Sequence, residues 1–177
     1  MKTGQTIPQI ILPAIDGSQF NNQSLKGKKY LLTFFRFATC PFCNTRIAQL
    51  VKTKSELGDE FEIVAIFESK IDHLQKHANK HMAKFPILAD YGRKYYEMFD
   101  VKKSIFGMLR GMLFRLLPAI KGMLEGYLPR EISSRYLTLP LSLLIDEQGV
   151  IQHIYYGKDG GDHMPIEQIV KFAKGQD

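Results

Sequence analysis

Tyr30-Leu31-Leu32-Thr33-Phe34-Phe35, followed by Arg36-Phe37-Ala38-Thr39 and then Cys40-Pro41-Phe42-Cys43-Asn44, decides how this chain folds. The first six residues are an unbroken apolar and aromatic run. They are too few for a helix and suit a central strand buried on both faces. Beyond the cysteines, Ile47, Leu50 and Val51 recur at helical spacing as far as about Leu57. Pro41 fits the first helical turn, where its missing N–H costs nothing. The order strand, cysteine, helix puts Cys40 at a helix mouth, where unpaired N–H groups and the positive end of the dipole stabilise a thiolate. Cys40 is therefore the expected nucleophile. Cys43, one turn inside, is expected to resolve a mixed disulfide or sulfenic acid on Cys40, with Arg36 adding positive potential.

Working outward, Phe61-Glu62-Ile63-Val64-Ala65-Ile66-Phe67 predicts a second buried strand, with a helical stripe of Ile71, Leu74, Ala78 and Met82 behind it. Phe85-Pro86-Ile87-Leu88 suits a short strand, and residues 91–99 a further helix. Two more strands, 141–145 and 150–155, flank a hairpin turn at Asp146-Glu147-Gln148-Gly149. Ile166, Ile169, Val170 and Ala173 give a closing helix that begins near Pro165, and the entry is extended with a turn at Asp16-Gly17. Together these predict an α/β fold, a mixed central sheet sandwiched by helices. A length of 177 residues suits a single domain spanning 1–177.

The chain holds two cysteines, three positions apart. A bridge closing so short a loop constrains the unfolded chain very little, so the pair points to redox chemistry or metal ligation. A zinc site would need a second C-x-x-C or a finger-like histidine pattern, and neither is present; no metal and no other cofactor is expected. Inert core thiols are the remaining bland alternative. The net charge of +6 is concentrated in residues 102–137, where Lys102, Lys103, Arg110, Arg115, Lys121, Arg130 and Arg135 face only Glu125 and Glu131. The balanced remainder does not imply nucleic acid. Residues 1–18 lack an apolar signal core and no run is long enough to span a bilayer, so the expected location is cytoplasmic.

At Phe34-Phe35-Arg36, Cys40-Pro41-Phe42-Cys43-Asn44, Leu144 through Ile151 and the Gly4 to Gly17 entry, the chain resembles the peroxiredoxin-like branch of the alkyl hydroperoxide reductase/thiol-specific antioxidant (AhpC/TSA) family. The resemblance leaves out roughly residues 102–137. It implies a thioredoxin fold with an N-terminal extension, and reduction of hydroperoxides or disulfides at Cys40 with a thioredoxin- or glutathione-type reductant. It also implies a cis proline beside the dithiol, for which Leu139-Pro140 is the matching dipeptide; the alternative is a trans proline opening a strand. Two positions depart from the peroxidase pattern. Phe37 stands three residues before the nucleophile where a threonine or serine orients the peroxide, with Thr39 adjacent instead. Pro140 stands where the pattern has an arginine, leaving Arg36 or Arg135 as substitutes. The Cys-Pro-Phe-Cys tetrad also occurs in glutaredoxins, although there the dithiol and the proline are much closer in sequence. A disulfide reductase without peroxidase activity is thus the alternative enzyme.

Residues 102–137 form an insert. Ile105, Met108, Leu109, Met112 and Leu116 share a helical stripe, Phe106, Leu113, Leu117 and Ile120 widen it, and Pro118 should kink or end the helix. Gly107 and Gly111 have G-x-x-x-G spacing in a run too short and charged to span a membrane. The simplest expectation is a helical insertion packed on the domain with its arginines in solvent. A lid or homodimer element, a weak membrane-surface contact and a redox-sensing partner surface are the alternatives. His73, His77 and His81 recur every fourth residue, a spacing that can chelate a metal. Gly160-Gly161-Asp162-His163 turns the chain into the last helix, and His163 is given no role.

Overall fold

The structure is a computed structural model and describes residues 1–124 and 134–176. The chain enters through a small hairpin, β1 (Ile11–Pro13) and β2 (Gln19–Asn21), turned where Gly17 takes a φ of +88°. β3 (Lys29–Phe35) follows and becomes the centre of a five-stranded sheet. Its outer neighbours on one side are β4 (Phe61–Phe67) and β5 (Ile87–Ala89), both parallel to it in turn. On the other side lie β6 (Leu141–Ile145) and β7 (Ile151–Tyr156), antiparallel, giving the order β5-β4-β3-β6-β7. The expected mixed sheet is present.

Both faces of β3 are covered, which is why its sequence does not alternate. Leu31 and Phe35 join a core with Ile47 and Leu50 of α1 (Pro41–Thr53), Leu74 of α2 (Ile71–Ala78), and the C-terminal pair Ile169 and Phe172. Tyr30, Leu32 and Phe34 face the other way, against Tyr95 and Tyr96 of α3 (Lys94–Met98), Phe99, and Leu12 and Phe20 of the hairpin. Register carries β3 from the Tyr30–Ile145 pair to the Phe34–Leu141 pair. The loop after Phe35 therefore leaves the sheet at the end where β6 begins.

The described residues of the insert include two α-helices, α4 (Ile105–Phe114) and α5 (Leu116–Leu124). Ser104 caps α4 by accepting the Gly107 N–H on its Oγ at 2.9 Å. The helix breaks at Arg115, three residues earlier than the proline suggested; Pro118 falls in the first turn of α5, where it is tolerated. The closing helix is α6 (Ile166–Ala173). Among the described residues, no helix is long and apolar enough to cross a membrane.

The orientation of α4 corrects the expectation for the insert. The side that meets the rest of the chain is the glycine side: a Cβ on Gly107 would lie 2.8 Å from both Leu139 Cδ2 and the Lys158 carbonyl, and one on Gly111 would lie 3.5 Å from Asp159 Cβ. The apolar stripe points outward, with Phe106 at 86% exposure and Leu109, Leu113, Phe114, Leu117 and Leu124 also exposed. Glycine allows the helix backbone to approach closely, and the large side chains on the opposite side of the helix then face out. Glu125, Arg130, Glu131 and the Arg135 side chain lie outside the described residues.

Candidate functional site

Cys40 is the N-cap of α1, and its Sγ accepts the Cys43 backbone N–H at 3.4 Å. The loop that presents it is tied at every step. Ala38 N–H donates to Ser69 Oγ at 3.0 Å, Cys40 N–H donates to the Phe37 carbonyl at 3.0 Å, and Asn44 Nδ2 donates to the carbonyls of Ala38 and Cys40 at 2.7 and 2.9 Å. Both cysteines are reduced and completely buried.

The two thiols are electrostatically unequal. Burial opposes ionisation of Cys40, but the Cys43 thiol donating to its sulfur, the positive charge of Arg36 and the backbone N–H groups of Cys43 and Phe42 outweigh it and bring the thiol down to about 6. Burial and the anion on Cys40 push Cys43 well above the ordinary thiol range. The Cys43 thiol and Arg36, with a smaller part from the N–H groups of the helix mouth, thus favour an anion on one sulfur and a proton on its neighbour.

Arg36 is held in place rather than free in solvent. Its Nη2 donates to the Tyr136 carbonyl at 2.6 Å, and its guanidinium lies over the rings of Phe37 and Tyr136, at 5.4 and 5.8 Å. Gly160 lies so close that a Cβ there would fall 2.3 Å from Arg36 Nη1. Arg36, Phe37, Pro41, Phe42 and Tyr136 form one wall of a cavity of about 300 Å³; Met108, Gly111, Leu116 and Met123 of the insert form the other. The insert is therefore a roof beside the dithiol. Thr39 is buried in the same loop, and the charged group at the cavity wall is Arg36.

Several expectations are corrected. No described peptide bond is cis, so Leu139-Pro140 is trans. Pro140 does stand at the site end of the sheet, one step past the Phe34–Leu141 pair, but the backbone ahead of it is engaged: Leu139 N–H donates to the Lys102 carbonyl at 2.8 Å and Thr138 bridges to Lys103. Pro140 itself accepts from Gly157 N–H at 2.9 Å. The entry of the insert is thus paired with the backbone that precedes Pro140. The histidine ladder is broken because α2 stops at Ala78; His81 turns to Asn44, with Nε2 and Oδ1 2.7 Å apart. Among the described residues no three histidine, cysteine or acidic side chains are grouped to hold a metal.

The two described arginine side chains of the insert, Arg110 and Arg115, are not simply solvated. Arg115 Nε pairs with Asp159 Oδ1 at 2.7 Å and its Nη2 with Asp162 Oδ1 at 3.4 Å; Arg110 lies 3.8 Å from Asp159. Asp159 is nearly inaccessible, so this contact latches the roof to the loop before α6. His163 follows in that loop with both ring nitrogens buried and unpartnered. Burial and the charges of Arg46, Arg115 and Arg36 hold it well below the ordinary histidine range. A second group also escaped sequence reasoning. Glu68, at the end of β4, pairs with Arg93 at 2.5 Å and accepts from Thr138 Oγ1 at 2.7 Å, while its N–H donates to the Arg36 carbonyl at 2.9 Å. A carboxylate directly after the apolar run of residues 63–67 was its signal.

The sequence profile of the AhpC/TSA family matches residues 3–154. This chain belongs to the AhpC/TSA family. It is 25% identical over 158 residues to peroxiredoxin Bcp of Escherichia coli strain K12, covering 88% of this chain and 85% of that one. It is 24% identical to the thioredoxin-like protein YneN of Bacillus subtilis, over 89% of this chain and 73% of that one. Among solved structures it superposes on peroxidoxin BcpB of Mycobacterium tuberculosis with a TM-score of 0.72 at 16% identity, covering 100% of this chain and 99% of that one. The bacterioferritin comigratory protein of Xanthomonas campestris gives 0.64 at 12% identity, covering 94% and 89%. The fold is thioredoxin-like, and this family member is a thiol-dependent antioxidant oxidoreductase.

Proposed function

We propose that residues 1–177 act as a single-domain thiol peroxidase in which Cys40 reduces an organic hydroperoxide and Cys43 resolves the product. The Cys40 thiolate attacks the terminal peroxide oxygen, the O–O bond breaks, and the departing alkoxide takes a proton to leave as an alcohol, with Cys40 left as a sulfenic acid. Cys43 then attacks the Cys40 sulfur; its thiol proton and the departing hydroxide form water, and a disulfide remains. A thioredoxin- or glutathione-type thiol supplies two electrons to restore the dithiol, a cycle suited to the cytoplasm.

The observation that carries this reading is the inequality of the two thiols, one brought to about 6 and the other raised. Phe37 offers no hydroxyl to orient a peroxide, and Arg36, fixed at the cavity wall, is the group suited to stabilise the departing oxygen. The mainly apolar cavity favours an organic hydroperoxide over hydrogen peroxide.

Stopped-flow single turnovers with cumene hydroperoxide and with hydrogen peroxide test the proposal. Cys43→Ser should consume about one equivalent and stop, whereas Cys40→Ser should lose about 10³-fold or more in rate. Equal, free-thiol rates for the two variants would exclude it.

A further inference from the structure

We infer that the outward face of α4 and α5 is a docking surface for an anionic lipid bilayer. It goes beyond the redox reading and does not depend on it.

The first observation is the amount and arrangement of apolar surface left in water. Ile105, Phe106, Leu109, Leu113 and Phe114 on α4, and Leu117, Ile120 and Leu124 on α5, are all exposed and away from the cavity wall, and Phe106 and Leu124 are more than 80% exposed. Single exposed hydrophobes are ordinary, but eight on two consecutive short helices are a concentration of the kind that marks an interaction site. Neither helix can cross a bilayer, so the geometry available to them is to lie in its surface.

The second observation selects the occupant by charge. Residues 102–124 contain Lys102, Lys103, Arg110, Arg115 and Lys121 and no carboxylate. Arg115 is spent on the latch to Asp159 and Asp162, and Lys102 pairs with Asp100. Lys103 is exposed, and Arg110, whose Nε lies 3.8 Å from Asp159 and whose guanidinium lies 5.7 Å from the Phe114 ring, still stays more than half exposed beside the apolar side chains. Apolar side chains interleaved with cations, on helices too short to span, fit a negatively charged headgroup layer. They do not complement a second copy of the same face, which would bring the same excess of cations and, within residues 102–124, no carboxylate to meet it. The inner side of the same helices walls the cavity beside Pro41 and Phe42, so docking would place the site within reach of hydroperoxides carried by the bilayer.

Sedimentation of the full chain with vesicles tests the inference. Vesicles of phosphatidylcholine with about one third phosphatidylglycerol should retain the protein roughly tenfold better than phosphatidylcholine alone, and about 0.5 M salt should remove most of the difference. Phe106→Ser with Leu117→Ser should cut binding by about tenfold or more while leaving the peroxide single turnover in solution unchanged. Cys40→Ser should bind as the wild type does, which separates failure of docking from failure of the redox proposal. Absence of binding to any vesicle overturns the inference. So does a concentration-dependent dimer in light scattering that the Phe106/Leu117 pair of substitutions abolishes.

Discussion

The strand-to-helix unit at 29–53 and the insert at 102–124 are both rich in apolar residues, yet they use them in opposite directions. In β3 and α1, Phe34, Phe35, Ile47 and Leu50 are fully buried and the polar groups line the helix mouth. In α4, glycines face the protein and Phe106, Leu109 and Leu113 face water. The difference teaches that an apolar stripe reports a surface seeking cover without saying which cover it gets. A helix that approaches its own chain through glycine presents its large side chains to something else.

Four measurements can break or sharpen this contrast. The largest effect belongs to the buried phenylalanine: Phe34→Ala should cost about 3–5 kcal/mol in urea unfolding, whereas Phe106→Ala should stay within about 0.5 kcal/mol. Similar losses for both would mean that the insert is packed like the core. Next, Gly107→Ala should destabilise by about 1–3 kcal/mol, because the new methyl meets the Lys158 carbonyl, which is backbone and yields poorly. A neutral outcome would show that α4 does not rest on its glycines. Third, iodoacetamide labelling of Cys40 should rise with an inflection near pH 6, since protonation below that value removes the thiolate. Arg36→Gln should move the inflection upward, with about tenfold less thiolate at a given acidic pH for each unit moved. An unmoved inflection would place the effective charge elsewhere. The smallest effect concerns His163. Its folded form resists protonation, so the unfolded chain binds the extra proton and stability declines as pH falls below about 6.5. His163→Phe should flatten that decline in Tm between pH 7 and 5; an unchanged slope would assign it to other groups.

Much of the fold was legible because its signals are local. The β3, β4 and β6 runs are continuous and apolar, Gly149 at φ +80° closes the hairpin that Asp146-Glu147-Gln148-Gly149 announced, and Pro41 directly after Cys40 marks a helix start. The dithiol and the adjacent Arg36 followed from the same few residues. What stayed hidden depends on partners distant in sequence. Thr138 meets Glu68 and Arg93 from the far side of the insert, Arg115 finds Asp159, and His81 leaves its ladder for Asn44. Pro140 looked like the cis proline of a thioredoxin fold from its place before β6. It is trans, and the backbone ahead of it pairs with the insert entry at Lys102 and Lys103.

Complete burial of both sulfurs carries a kinetic consequence. The neighbouring cavity is lined by Pro41 and Phe42 but by neither cysteine, so a protein-sized reductant touches the disulfide only while the covering layer is displaced. Recycling should therefore approach a plateau as reductant concentration rises, its height fixed by how often that layer opens.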